Sequence, residues 1–234
     1  MFNFDEVTPE CDLGRLQVHH PIWKAKYAIM RSVCKEVGID VPIMRYIVTS
    51  PMSEREARAA VARVLAPMRT RFVQIRDGGS YNHKKRPEQL LEHIRELSDG
   101  FGNPISLLVE EFQGTVACGT ARLNPDGTIL ARTVPGSLAG LKMNAKPTSY
   151  HLDSTGAILT EDIRPTHQYS LFDRTTLTFR PVQVDKPIWH ALSDGDRIQI
   201  ATILNRLGRA LGPTGMKWVH DGERVELYSI RNGL

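Results

Sequence analysis

The residues of this chain with the clearest capacity for chemistry are cations set beside glycines and carboxylates. Arg76-Asp77-Gly78-Gly79-Ser80-Tyr81-Asn82-His83-Lys84-Lys85-Arg86 is the most suggestive stretch. Paired glycines let backbone N–H groups come close to an anion, and the flanking cations neutralise it. This composition suits a loop that holds an anion, with Arg76, Lys84 and Lys85 as its cations, and equally a solvated turn with a lysine-rich face. Further along, Glu110-Glu111-Phe112 ends a strongly apolar run, and Lys217 and Arg231 lie in two short runs near the C-terminus.

Elements must hold these residues in place. Ser53-Glu54-Arg55-Glu56 has capping-box spacing and opens a helix that Pro67 ends. Residues 71–76 read as a buried strand, Pro87 starts a helix over 87–98, and residues 105–112 form an apolar strand. Asn124-Pro125-Asp126-Gly127 joins the runs 115–121 and 128–134 into a hairpin. Ser193-Asp194-Gly195-Asp196 caps a last helix, whose stripe is Ile200, Leu204, Leu207 and Leu211 and whose stop is Gly212-Pro213. The short apolar runs 216–219 and 225–230 then fold back on each other through Asp221-Gly222. An amphipathic helix is expected over 24–37, a strand over 45–49, and only short strands over 154–191.

At 234 residues the chain is long enough for two lobes, and 41% hydrophobic residues is ordinary for a globular protein. The formal net charge of +4 suits an anionic ligand and equally an ordinary basic surface. No run is long and apolar enough for a membrane span, and residues 1–12 lack a signal-peptide pattern. Cys11, Cys34 and Cys118 are odd in number and far apart, so a disulfide framework is not expected and a reducing cytoplasm is.

The closing helix, Met216-Lys217-Trp218-Val219-His220-Asp221-Gly222 and Leu227-Tyr228-Ser229-Ile230-Arg231 together resemble the end of an ATP-grasp domain. The likeness is to the phosphoenolpyruvate synthase and pyruvate phosphate dikinase type. It extends to Gly38-Ile39-Asp40-Val41-Pro42, to Val73-Gln74-Ile75-Arg76, to Val109-Glu110-Glu111-Phe112 and to Pro147-Thr148-Ser149-Tyr150. The resemblance implies an α/β (α+β) fold of two lobes, residues 1–112 and 113–234, with mixed or antiparallel sheets and a cleft between them. It implies ATP as ligand, phosphates held by Lys26 (or Lys24), Arg76, Gly78 and Gly79, and adenine read by the main chain of Glu110, Glu111 and Phe112. Arg231 takes the position of a family arginine. Where the family places its Mg2+ ligands this chain has Lys217, Ser229 and Ala139 or Gly140, so the metal site is altered; Glu226 or Asp221 is a displaced alternative. An active member would transfer phosphoryl from ATP to a small molecule or partner, with Lys217 and Arg231 in catalytic positions. A silent member would bind nucleotide or serve as an interaction scaffold.

Other chemistries find no pattern. The eight histidines show no ligand spacing and read as surface or hydrogen-bonded core residues. Neither a Gly-x-Ser-x-Gly elbow nor a P-loop is present. A nucleic-acid surface built on residues 81–86 is not expected, because no aromatics interleave with the cations.

Overall fold

The computed structural model describes residues 33–39, 44–49, 53–68, 70–76, 82–103, 105–112, 114–137 and 146–232. The chain forms two compact units. The first ends at Gln113, and the second gathers Gly114–Leu234 together with Ser32–Val41. The fold class is α+β with antiparallel sheets, as the sequence implies.

The first unit holds strands β1 (Met44–Thr49), β2 (Phe72–Arg76), β3 (Asn82–Lys85) and β4 (Ile105–Phe112) in the order β1-β4-β2-β3. Helix α1 (Glu54–Leu65) links β1 to β2, and α2 (Leu90–Leu97) leads to β4. β4 lies between β1 and β2 and runs antiparallel to both, so β1-α1-β2 is a split crossover. α1 starts where Ser53 predicts: its Oγ accepts from Glu56 N at 3.3 Å, and Glu56 Oε2 accepts from Ser53 N at 2.8 Å. Ala57, Val61 and Val64 of α1 and Leu90 and Ile94 of α2 pack on Val73, Ile75, Leu107 and Val109. These four strand residues alternate along β2 and β4, so one sheet face carries the core.

Two expectations are corrected here. Asn82–Lys85 is a strand paired with β2 and not loop, because Val73↔Lys85 through Arg76↔Asn82 closes a hairpin. Residues 87–98 open with a 3₁₀ turn, Pro87–Gln89, before α2 proper.

The second unit is a six-stranded antiparallel sheet, with β5 (Ala117–Leu123), β6 (Ile129–Pro135), β7 (Thr148–Leu152), β8 (Ile158–Asp162), β11 (Thr214–His220) and β12 (Val225–Asn232) in the order β12-β11-β5-β6-β7-β8. Helix α3 (Asp194–Leu211) buries Ile200, Ala201, Leu204 and Leu207 against β5, β11 and β12. Trp218 is fully buried on this side. Its indole lies over Gly119, where an added Cβ would sit 2.5 Å from the ring and 1.9 Å from the Arg132 carbonyl. Residues 154–191 hold more than short strands. β9 (Pro165–Asp173) and β10 (Thr178–Trp189) pair as a long, mostly exposed ribbon, tied to the sheet by a bridge between Gly136 and Ser170. Their apolar residues are sparse and interrupted by prolines, which hides the period from the sequence.

Candidate functional site

The predicted residues fall in both units. In the first, Val73, Ile75, Leu107 and Val109 face the helices, so Phe72, Gln74, Leu108, Glu110 and Phe112 take the other face. Register places Gln74 between Lys84 and Glu110, and Phe72 opposite Phe112. Gln74 and Glu110 are buried there at 4% and 5% exposure, and Gln74 Nε2 donates to Glu110 Oε2 at 2.9 Å. The Lys84 ammonium lies 5.6 Å from the Phe112 ring centre, and the Arg86 guanidinium 5.9 Å from that of Phe72. The carboxamide and the carboxylate thus satisfy one another inside the sheet face, and a cation stands over each of the two rings. Gln74 was missed from the sequence; its signal was a polar residue alternating with Val73 and Ile75.

Glu110, Glu111 and Phe112 form the end of β4. Pairing with β1 stops at Met44–Glu110, whereas pairing with β2 continues to Phe112, whose carbonyl accepts from Thr70 Oγ1 at 2.9 Å. Arg76 ends β2, aligned with Leu108 and Asn82. Its side chain lies outside the described residues, as do Lys24, Lys26, Gly78, Gly79, Ala139 and Gly140.

In the second unit Lys217 is half-buried on the sheet face opposite α3, because Met216 and Trp218 take the helix side. A β-bulge falls between Lys217 and Trp218, since Trp218 aligns with Leu227 and Lys217 with Ser229. Tyr228 is the extra residue. Lys217, Ser229 and Thr120 are thus neighbours, and Arg231 aligns with Gly215. An ammonium and a hydroxyl are not the oxygen set a divalent cation takes. Among the described residues no group of three His, Cys, Asp or Glu side chains is placed to hold a metal ion. Glu226 is instead held by Arg224 at 2.9 Å, and Asp221 Oδ1 accepts from Glu223 N and Arg224 N. The described residues at these positions do not fit Mg2+.

Other reactive groups are accounted for locally. His220 Nε2 lies 3.1 Å from Asp196 Oδ1, and its Nδ1 accepts from Gly222 N at 3.0 Å. Both ring nitrogens are engaged, so the pair ties α3 to the hairpin turn and holds no nitrogen ready for a substrate proton. Burial pushes the Cys118 thiol up to about 12, which keeps it protonated and unreactive. His93 is a buried histidine without the expected hydrogen bonds: neither ring nitrogen has a hydrogen-bond partner among the described residues, and Nδ1 stands 3.6 Å from Glu96 Oε2.

No family model and no curated protein matches the chain. Among solved structures, it is similar to D-alanine-D-alanine ligase from Helicobacter pylori, with 15% identity, a TM-score of 0.43, and 88% of this chain and 53% of that one covered. It is similar also to D-alanine–D-alanine ligase from Bacillus anthracis, with 8% identity, a TM-score of 0.43, and 99% and 66% covered. A third is phosphoribosylglycinamide synthetase from Anaerococcus prevotii, with 13% identity, a TM-score of 0.44, and 90% and 43% covered. The chain therefore spans about half to two thirds of the ligases from Helicobacter and Bacillus, and less of the third protein.

Proposed function

We propose that this chain is an ATP-grasp-like nucleotide-binding protein of two lobes, divided near residue 113 except that residues 32–41 go with the second. The observation that carries the reading is the Gln74–Glu110 pair beside Phe72 and Phe112, at the end of β4 that the resemblance assigns to adenine. Glu110 offers acceptors and Gln74 both a donor and an acceptor, a set that suits an amino-substituted purine edge. Lys26, Arg76 and Arg231 supply positive charge to the phosphates, and Gly78 and Gly79 supply backbone N–H groups.

Two activities are compatible with that binding. Phosphoryl transfer of the phosphoenolpyruvate synthase kind, to a small-molecule or protein acceptor, would employ Lys217 and Arg231. The Lys217–Ser229 pairing favours the other, a silent nucleotide-binding form, because neither side chain orients two phosphate oxygens through a metal. Calorimetry with ATP, with ADP and AMP release followed in parallel, tests the reading. Saturable ATP binding that weakens in Gln74→Leu supports it, and absence of ATP binding ends it. Sustained ADP or AMP release would reject the silent form and leave the phosphotransferase one.

A further inference from the structure

We propose that β8 is a docking edge for an extended polypeptide segment that mixes lysine or arginine with apolar residues, taken up as a further strand of the second unit's sheet. The inference is independent of the nucleotide reading. β8 is the last strand of its sheet and pairs with β7 alone, from Ser149↔Asp162 to Leu152↔Ile158. Among the described residues no strand pairs with its outer side. Alternate peptide groups of such an edge face outward, a row of donors and acceptors that an extended chain can satisfy. The edge is also fixed in place, because the turn leading into it is tied to α3. Asn205 Nδ2 donates to the Ser154 carbonyl at 2.6 Å. Gly156 lies so close to the helix backbone that an added Cβ would stand 2.8 Å from the Arg197 carbonyl. A docking segment thus meets a preformed strand, and only the segment itself has to be ordered.

The side chains of the edge set the chemistry of its occupant. Glu161 continues the cross-strand row of Ala131 and Tyr150, and Ile158 continues that of Ile129 and Leu152. Register partners share a face, and the Tyr150 hydroxyl accepts from Leu192 N at 3.0 Å, so Glu161 and Ile158 lie on the α3 side. Tyr150, Ile129 and Leu152 are buried, whereas Ile158 is 38% exposed, so the apolar row runs out uncovered at β8. Ile158, Leu159 and Ile198, whose backbone N lies against Gly156, are three of the six exposed large apolar residues among the described residues. Apolar exposure is therefore concentrated at this edge, as at an interaction surface. Asp162 is held by Arg164 at 2.6 Å, and Glu161 makes no ion pair with any described residue, so Glu161 is the uncompensated charge of the strand. A second β8 would set acid against acid there. A lysine or arginine opposite Glu161 instead gains a cross-strand ion pair, and apolar neighbours cover Ile158 and Leu159.

The trial uses the full chain and two synthetic peptides followed by fluorescence anisotropy, one alternating lysine with valine and one alternating glutamate with valine. The lysine peptide binds and the glutamate peptide does not, and amide hydrogen exchange in the complex slows at residues 158–162. Methylating every amide nitrogen of the lysine peptide keeps its charges, removes its strand hydrogen bonds and abolishes binding. Glu161→Gln weakens binding about threefold, the loss expected for one exposed ion pair, and Glu161→Lys reverses the preference between the two peptides. Glu161 is exposed, so both variants keep the fold; the near-ultraviolet signal of buried Trp218 checks it. No binding of the lysine peptide overturns the proposal. So does binding that survives methylation, leaves exchange at 158–162 unchanged or ignores Glu161→Lys. A concentration-dependent dimer that protects residues 158–162 before any peptide is added gives the edge to a second copy and overturns it as well.

Discussion

Gln74 and Glu110 show what one residue type does when its surroundings exclude water. A buried carboxylate needs donors, and Gln74 provides one at 2.9 Å. Gln74→Leu withdraws that donor and should lower unfolding free energy by about 1–3 kcal/mol in chemical denaturation. His93 makes a different case. Burial is the main cause that pushes its pKa below the ordinary histidine value, and the charges of Lys85 and His83 add to it. The unfolded chain therefore binds a proton more readily than the folded one, so stability falls as pH drops through and below the ordinary value of about 6.5. His190 is shifted the same way by burial, against the pull of Asp196. His93→Leu should flatten the decline in stability between neutral and mildly acidic pH, read from melting temperatures across that range.

At the scale of the element, local chemistry decides most of what forms. Ser53 and Ser193 both close capping boxes, with Glu56 and with Asp196. Ser193→Ala should cost about 1 kcal/mol through the lost cap on α3, measured by thermal melting. Gly119 is fixed for a nonlocal reason. The close approach of the Arg132 carbonyl and the Trp218 ring leaves no room for a methyl group. Gly119→Ala should cost about 3 kcal/mol or prevent folding, seen as loss of cooperative unfolding. The contrast explains what the sequence disclosed. Caps, breakers and period-two runs announced α1, α3, β4 and the hairpins, because each depends on neighbours within a few residues. β3 stayed hidden because Asn82-His83-Lys84-Lys85 is polar throughout and becomes a strand only beside β2. The candidate site divides likewise. Glu110 and Phe112 ended a visible strand, but Gln74 gains its meaning from a partner 36 residues away across the sheet.

For the molecule as a whole, the boundary between the units does not follow a single cut in the chain. Cys34 and Ile39 are buried, and Arg206 Nη1 donates to the Gly38 carbonyl at 2.6 Å, so residues 32–41 belong with the unit they precede by many residues. A fragment of residues 114–234 should therefore melt below the corresponding transition of the full chain, and a peptide of residues 32–41 added in excess should raise it again. An unchanged melting temperature with and without the peptide would contradict this. The strand order has a separate outcome for solubility. β8 ends its sheet, all five of its residues are exposed, and Ile158 and Leu159 lie there beside Glu161 and Asp162. An open rim of peptide groups is a template on which a second copy can extend the sheet, and neighbouring negative charges discourage it. Asp162 is paired with Arg164, so Glu161 is the guard against self-assembly, and replacing Glu161 by valine should turn a clear solution turbid on standing.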